Sequence, residues 1–418
     1  MAPASNRTGR RSFLRRFGAL LVLGTGGMRP SAARPDVLPS SVEDRAAAFI
    51  RAYDAQGIHR TAHAGDDENA EMLASEAKSL GADVSLDEFA IERIEPVECH
   101  VEIGETRIPA FPMFDGAFTG PQGLAGKLGA LGQEAPIALV EEGPLAVYRQ
   151  DYPSMREGRG HQALVVVTKG ERAGLALLNA ESFLSPYTIP CVQVSSEARE
   201  ALSQAAARNE EVRLVADCRR VPSKVRSVIA ALEGSAGGSA PLVVMTPRSG
   251  WWHCASERGG GLFCWLEVMR ALQETPGERD VIFVASSGHE LGHIGLDNFL
   301  KRRPELITQA TWLHFGANIG AADSKLTLQS PLDDLRGLAQ QEMTRAAQPI
   351  AGFSPKTQVP YGESRAIHRA GGRYLTLIGS NALFHLPQDR WPAAVDVAAV
   401  ARTATACARI AVALSRRS

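Results

Sequence analysis

His289-Glu290-Leu291-Gly292-His293 puts two imidazoles and a carboxylate within five residues, the ligand set that one zinc ion and an activated water require. On a helix, positions i and i+4 share a face, so His289 and His293 would reach one metal while Glu290 polarises its water. Given the usage of His and Glu here, on the order of 0.01 such matches arise by chance in a chain this long, which makes the pattern moderately specific. Its position adds weight. The preceding run, Val281-Ile282-Phe283-Val284-Ala285, is apolar and β-branched like a buried parallel strand. Catalytic groups of open α/β sheets gather at the carboxyl ends of such strands.

The elements that must carry this turn follow from pattern. Residues 42–80 read as helical, interrupted around 57–65. From 96 to 222 the chain changes to short β-like pieces (101–103, 137–140, 163–167, 175–178) between Gly- and Pro-rich turns, an inserted and mostly β domain. Strands at 225–232 and 242–246, a helix at 261–272, a strand at 281–285 and a helix at 291–302 then alternate. Strands at 312–315 and 374–378 and an Ala-rich helix at 393–414 complete the chain. Alternation of this kind specifies an α/β fold, a three-layer sandwich with a largely parallel central sheet. The α/β domain is expected over 41–95 and 223–415, and the insert over 96–222.

Composition narrows the function classes. The 418 residues are too many for one small core. Lys+Arg 45 against Asp+Glu 46 gives no electrostatic case for nucleic acid or an anionic membrane. Arg10-Arg11-Ser12-Phe13-Leu14 precedes a short apolar stretch and Ser31-Ala32-Ala33, the layout of a twin-arginine signal peptide over 1–33. The apolar stretch is far shorter than the roughly 20 residues a membrane span needs. The mature protein is therefore expected to be periplasmic or secreted, with no membrane span. Six cysteines (Cys99, Cys191, Cys218, Cys254, Cys264, Cys407) lack any CxxC pair, which argues against a structural zinc knot and leaves disulfides or buried thiols open.

The order of these pieces resembles the co-catalytic zinc aminopeptidases, the group of the bacterial leucyl aminopeptidases, glutamate carboxypeptidase and the transferrin receptor, with a protease-associated domain inserted. The resemblance covers roughly residues 41–415. Gly126-Lys127, the strand ending Val140-Glu141-Glu142-Gly143, and the segment from Ile189-Pro190-Cys191 to Ser196 suggest the protease-associated insert. Pro241-Leu242-Val243-Val244-Met245 suggests the catalytic part. Gly288-His289-Glu290-Leu291-Gly292 sits where the family writes Gly-Glu-Glu-x-Gly, and Phe384-His385-Leu386-Pro387-Gln388-Asp389 resembles its Tyr-His-Thr-x-x-Asp ending. Carried over residue by residue, the resemblance implies a remodelled metal site. Pro247-Arg248-Ser249-Gly250 lacks the family's histidine ligand, Glu257 stands for the bridging aspartate, and Gly316 replaces an aspartate ligand. His289 takes the place of the general-base glutamate, Glu290 that of a ligand, and His385 keeps the terminal histidine.

Two ligands lost and two histidines gained suggest one zinc ion rather than two, drawn from His289, His293, Glu257, His385 and Glu290, with His314 as another candidate for the shell. Glu290 is either base or ligand, because adjacent helical residues point about 100° apart. Trp251 and Trp252 are candidates for an apolar substrate wall, with His314 beside them. Each candidate also has a structural reading: His293 in a core, Glu257 paired with Arg258, His385 in an ordinary loop. Ser249, Ser256, Ser286 and Ser287 lie near strand ends, but the Gly-x-Ser-x-Gly elbow of a serine hydrolase is absent. The expected function is metal-dependent hydrolysis of a peptide or small amide. A binding module with a degenerate metal site, or a lyase or isomerase using His289 as base, stands beside it.

Overall fold

Two strands of unusual length organise the molecule, β1 (Asp83–Ile103) and β7 (Glu211–Leu232). They run antiparallel from Asp83 opposite Ala231 to Ile103 opposite Val212, and each passes from one sheet region into another. The computed structural model describes residues 41–236 and 239–416; the expected signal peptide lies outside them. The described residues form one compact unit.

The first halves of β1 and the last of β7 border a core of parallel strands. β9 (Val281–Ser286), β8 (Leu242–Pro247), β10 (Thr311–Phe315) and β13 (Arg373–Ile378) pair in that order, all parallel. β7 flanks β9 antiparallel, and β11 (Thr327–Gln329) flanks β13 antiparallel, with β12 (Gly352–Phe353) outside it. Leu242 and Val244 of β8 with Phe283 of β9 pack into one apolar layer; it also holds Ile50, Trp265 and Ile410 of the helices Val42–Ala55, Gly259–Glu274 and Val397–Ser415. Val243, Met245 and Val284 pack on the opposite face against Leu296, Phe299 and Leu300 of the helix Ile294–Arg302. Alternate residues bury on alternate faces, so continuous apolar strands require helices on both sides. The result is the expected three-layer α/β sandwich.

The other halves of β1 and β7 close a ring with the intervening strands β2 (Thr106–Pro112), β3 (Leu124–Ala130), β4 (Ile137–Glu142), β5 (Ala163–Thr168) and β6 (Cys191–Val194). The order around it is β1-β2-β6-β5-β4-β3-β7 and back to β1. Closure leaves these strands without a free edge. Val101, Leu128, Val165, Val192 and Leu214 fill its core. Residues 175–178, expected as a strand, pair with none. Side chains satisfy that backbone instead: Leu178 N donates to Gln193 Oε1 at 2.7 Å, and Leu177 O accepts from His385.

The six cysteines are free, and Cys191, Cys254, Cys264 and Cys407 are buried thiols. The helix Val397–Ser415 is long and apolar enough to cross a membrane, yet Ile410, Ala411 and Leu414 are packed inside the main core.

Candidate metal centre

The carboxyl end of β9 delivers the histidines, but not on a helix. Gly288 adopts φ 88°, a single 3₁₀ turn spans His289–Leu291, Gly292 adopts φ 81°, and His293 at φ 64° is the N-cap of Ile294–Arg302. The expected helical i, i+4 relation between His289 and His293 is therefore replaced by a turn with three left-handed residues. Crowding supports this geometry. A Cβ on Gly288 would lie 2.4 Å from Ile294 Cγ1, and one on Gly292 would lie 2.5 Å from Glu181 O. The turn nevertheless brings the rings together, edge to face, with centroids 4.9 Å apart.

Their partner is Glu363, at the start of the short helix Ser364–Arg369. His289 Nδ1 donates to Glu363 Oε1 at 2.7 Å, and His314 Nε2 lies 3.5 Å from Glu363 Oε2. Ligand atoms of His289, His293 and Glu363 all lie within 4.8 Å of one another, and all three residues are buried. Burial alone would raise the Glu363 carboxyl, but the charges of His289 and His293 and hydrogen bonds from His289 and His314 outweigh it and hold it well below the usual carboxylate range. Burial lowers His293 to about 4, against the pull of Glu363 and Glu181, so at neutral pH the ring is uncharged. Arg365 bonds Glu181 at 2.6 Å and lies 3.2 Å from His293 Nδ1, steadying the ring from behind.

A second, smaller group stands nearby. His385 Nε2 is 3.5 Å from Glu257 Oε1, and Arg258 Nη2 is 2.8 Å from the same oxygen. His385 donates its Nδ1 proton to Leu177 O, so the neutral ring carries a bare Nε2. Asp389 accepts from the amides of Ser256 and Glu257 at 2.8 and 2.9 Å and so fixes the turn that presents Glu257. His293 Nε2 and His385 Nε2 are buried without a hydrogen-bond partner, and Glu257 Oε2 has none besides the ion pair that Arg258 makes with its other oxygen. Buried polar atoms are rarely left unpaired, and a cluster of electron-pair donors in that state fits a cation. His289, His293 and Glu363 offer three ligand groups, the number that a catalytic zinc takes from a protein; Glu257 and His385 offer two, with an arginine already against them.

Glu290 does not join either group. Its carboxylate accepts from Thr61 N at 2.6 Å, Thr61 Oγ1 at 2.7 Å and Ser249 Oγ at 2.7 Å, and it is fully buried. Ser249 Oγ in turn accepts from the amides of Gly288 and His289, so Glu290 braces the turn from beneath. Trp251 forms no substrate wall. It is core, edge-on to Phe111 and Phe114, with Nε1 bonded to Asn179 Oδ1 at 3.1 Å. Trp252 is half-buried and bonds His385 O at 2.9 Å, holding that loop rather than lining a cavity. His314 does line one: a cleft of about 550 Å³ bordered by His289, His314, Glu363 and His385 together with Tyr148, Tyr361 and Phe384.

Glu363, Arg365 and Glu181 were missed by sequence reading. Glu363 is 74 positions from His289, and no spacing rule links them. A faint signal exists in Gly362-Glu363-Ser364-Arg365, two charges in a loop beside a glycine at φ 70°.

No protein-family model matches the chain, and no curated protein sequence matches it. Solved structures do. BSAP, a zinc aminopeptidase from Bacillus subtilis, superposes with a TM-score of 0.75 at 18% identity, over 91% of this chain and 97% of that one. A peptidase M28 precursor from Shewanella amazonensis SB2B gives 0.72 at 14% identity, over 90% and 95%. An aminopeptidase from Aneurinibacillus sp. strain AM-1 gives 0.70 at 14% identity, over 90% and 94%. Superposing over nine-tenths of its length on these structures at TM-scores of 0.70–0.75, the chain has the fold of the zinc aminopeptidases.

Proposed function

We propose that the protein is an exported, zinc-dependent hydrolase of peptide or other amide bonds, with one ion held by His289, His293 and Glu363. The observation that carries this reading is the convergence of three buried ligand groups from two separate stretches beside a cleft lined by three imidazoles, of which His385 keeps an unpaired Nε2. Zinc, when bound, supplies Lewis-acid polarisation of the scissile carbonyl and a water acidic enough to attack near neutral pH. The chain's own residues do the rest. His385 Nε2, bare and facing the same cleft, takes the proton of the attacking water and returns it to the leaving amine. His314, beside Glu363, holds that carboxylate against rotation. The closed ring of strands is read as the protease-associated-like insert, and residues 1–33 as the export signal.

Metal analysis of the full chain tests this. About one zinc per chain is expected, lost together with amidase activity in His289→Ala and Glu363→Ala. A purified protein that takes up no zinc on reconstitution, or that hydrolyses amides equally well without it, overturns the assignment.

A further inference from the structure

The carboxylates around this cleft are spoken for. Glu181 is paired with Arg365, Glu257 with Arg258, and Glu290 with Thr61 and Ser249. Asp389 is bound to two backbone amides. Among the described residues the cleft itself is lined by two carboxylates, Glu363 and Glu171. Glu363 lies against two imidazoles, and Glu171 is exposed at the rim, where a charge pair in water is worth little. At the end of β10, Gly316 offers no side chain at all. With the Glu363 carboxylate committed to a cation, a substrate ammonium entering here would lose its water and find no free anion, a heavy cost for a buried charge. A cation held by His289, His293 and Glu363 would add repulsion.

The donors are arranged for a neutral ligand. Asn179 is buried and lines the cleft; because Trp251 Nε1 donates to its Oδ1 at 3.1 Å, its amide orientation is fixed and its Nδ2 hydrogens are left for a ligand. We infer that the substrate enters without a free α-ammonium: its nitrogen is acylated, and Asn179 Nδ2 donates to the acyl oxygen. Resting on the hydrolase reading, this assigns the protein to N-blocked amides and sets it apart from enzymes that trim free amino termini.

A matched pair of ligands tests it, L-leucinamide against N-acetyl-L-leucinamide, titrated calorimetrically into the full chain with and without zinc. The acetylated ligand is expected to bind at least about tenfold more tightly to the zinc-loaded chain, since the free amine brings an uncompensated charge, and the preference is expected to narrow without zinc, where Glu363 is free to meet the amine. Asn179→Asp keeps the shape and the acceptor for Trp251 while adding an anion; it is expected to reverse the order. Equal or tighter binding of L-leucinamide by the unmutated, zinc-loaded chain overturns the inference, as does failure of both ligands to bind it. Binding in the expected order with no turnover of either ligand counts against the hydrolase reading alone.

Discussion

His293 stands in left-handed backbone that a branched or bulky L-residue adopts only at a cost of about 1–2 kcal/mol. Cys254, Asn318 and His385 share that conformation and lie in the same neighbourhood of the sheet's carboxyl edge. Such strain collects where function over-determines geometry. The two histidines of the pentad were legible in the sequence because imidazole spacing near a strand end is unusual, although the geometry inferred for them, one helical face, is not the one they use. Glu290 shows the limit of that legibility. A motif fixes which residues are adjacent, not which way each points, and here Thr61 and Ser249 draw the carboxylate away from the cleft. Its role is structural support, and that has a measurable consequence. Glu290→Ala strands three donors in the interior and is expected to cost about 2–4 kcal/mol by denaturant unfolding. Glu290→Gln, which keeps acceptor capacity, should retain zinc and kcat within about tenfold. A loss of kcat beyond a thousandfold in Glu290→Gln with zinc content and melting temperature unchanged would restore Glu290 as the base.

At the scale of elements, the apolar strands and the helices on both faces were readable because burial forces continuous Val, Ile and Leu runs and 3.6-residue spacing. The turn after β9 was not, since its conformation is set by contacts of Gly288 and Gly292 with Ile294 and Glu181 that no local pattern announces. Gly288→Ala and Gly292→Ala each require a side chain at positive φ and a Cβ inside 2.6 Å of a neighbour; the clashes are 2.4 and 2.5 Å. Each is expected to destabilise the chain by about 1–3 kcal/mol and to weaken zinc binding, because His289 and His293 move apart. Zinc affinity measured by competition with a chelator checks this, and unchanged affinity in both variants would show that the turn does not set the ligand geometry. The loop between the first two helices makes a different prediction. His59 is fully buried, stacked on Tyr53 at 3.7 Å, with Nδ1 on His253 O at 3.0 Å. Burial lowers its pKa from 6.5 to about 3. The unfolded chain binds the proton that the folded one refuses, so the stability His59 contributes is fully present above pH 6.5 and drains away as pH falls toward 3. The slope is at most about 1.4 kcal/mol per pH unit. His59→Gln is expected to flatten this part of the pH–stability curve, and an unchanged curve would remove His59 from the account.

For the whole molecule, β1 and β7 do more than belong to two sheet regions. Because each is a single continuous strand, the closed ring is held in register with the parallel core, and loops of the ring reach the cleft. Tyr148, in the loop after β4, accepts from Gly362 N at 3.3 Å, packs on Tyr361 with ring centroids 5.0 Å apart, and lies under the Arg365 guanidinium at 5.1 Å. Gly362 and Arg365 lie on either side of Glu363, so the ring touches the segment that carries the proposed third ligand. The short β-like pieces between Gly- and Pro-rich turns were legible in the sequence; which of these residues would meet the cleft was not, because that contact joins positions 214 apart. Tyr148→Phe removes one hydrogen bond and keeps the packing, so its effect on KM should be within about threefold. Tyr148→Ala removes an aromatic wall of the cleft and is expected to raise KM by about tenfold with kcat and zinc content nearly unchanged, the pattern of lost uniform binding. If Tyr148→Ala instead lowers kcat and zinc occupancy while KM holds, the ring acts by positioning Glu363 rather than by shaping the cleft, and its loops belong to the metal centre itself.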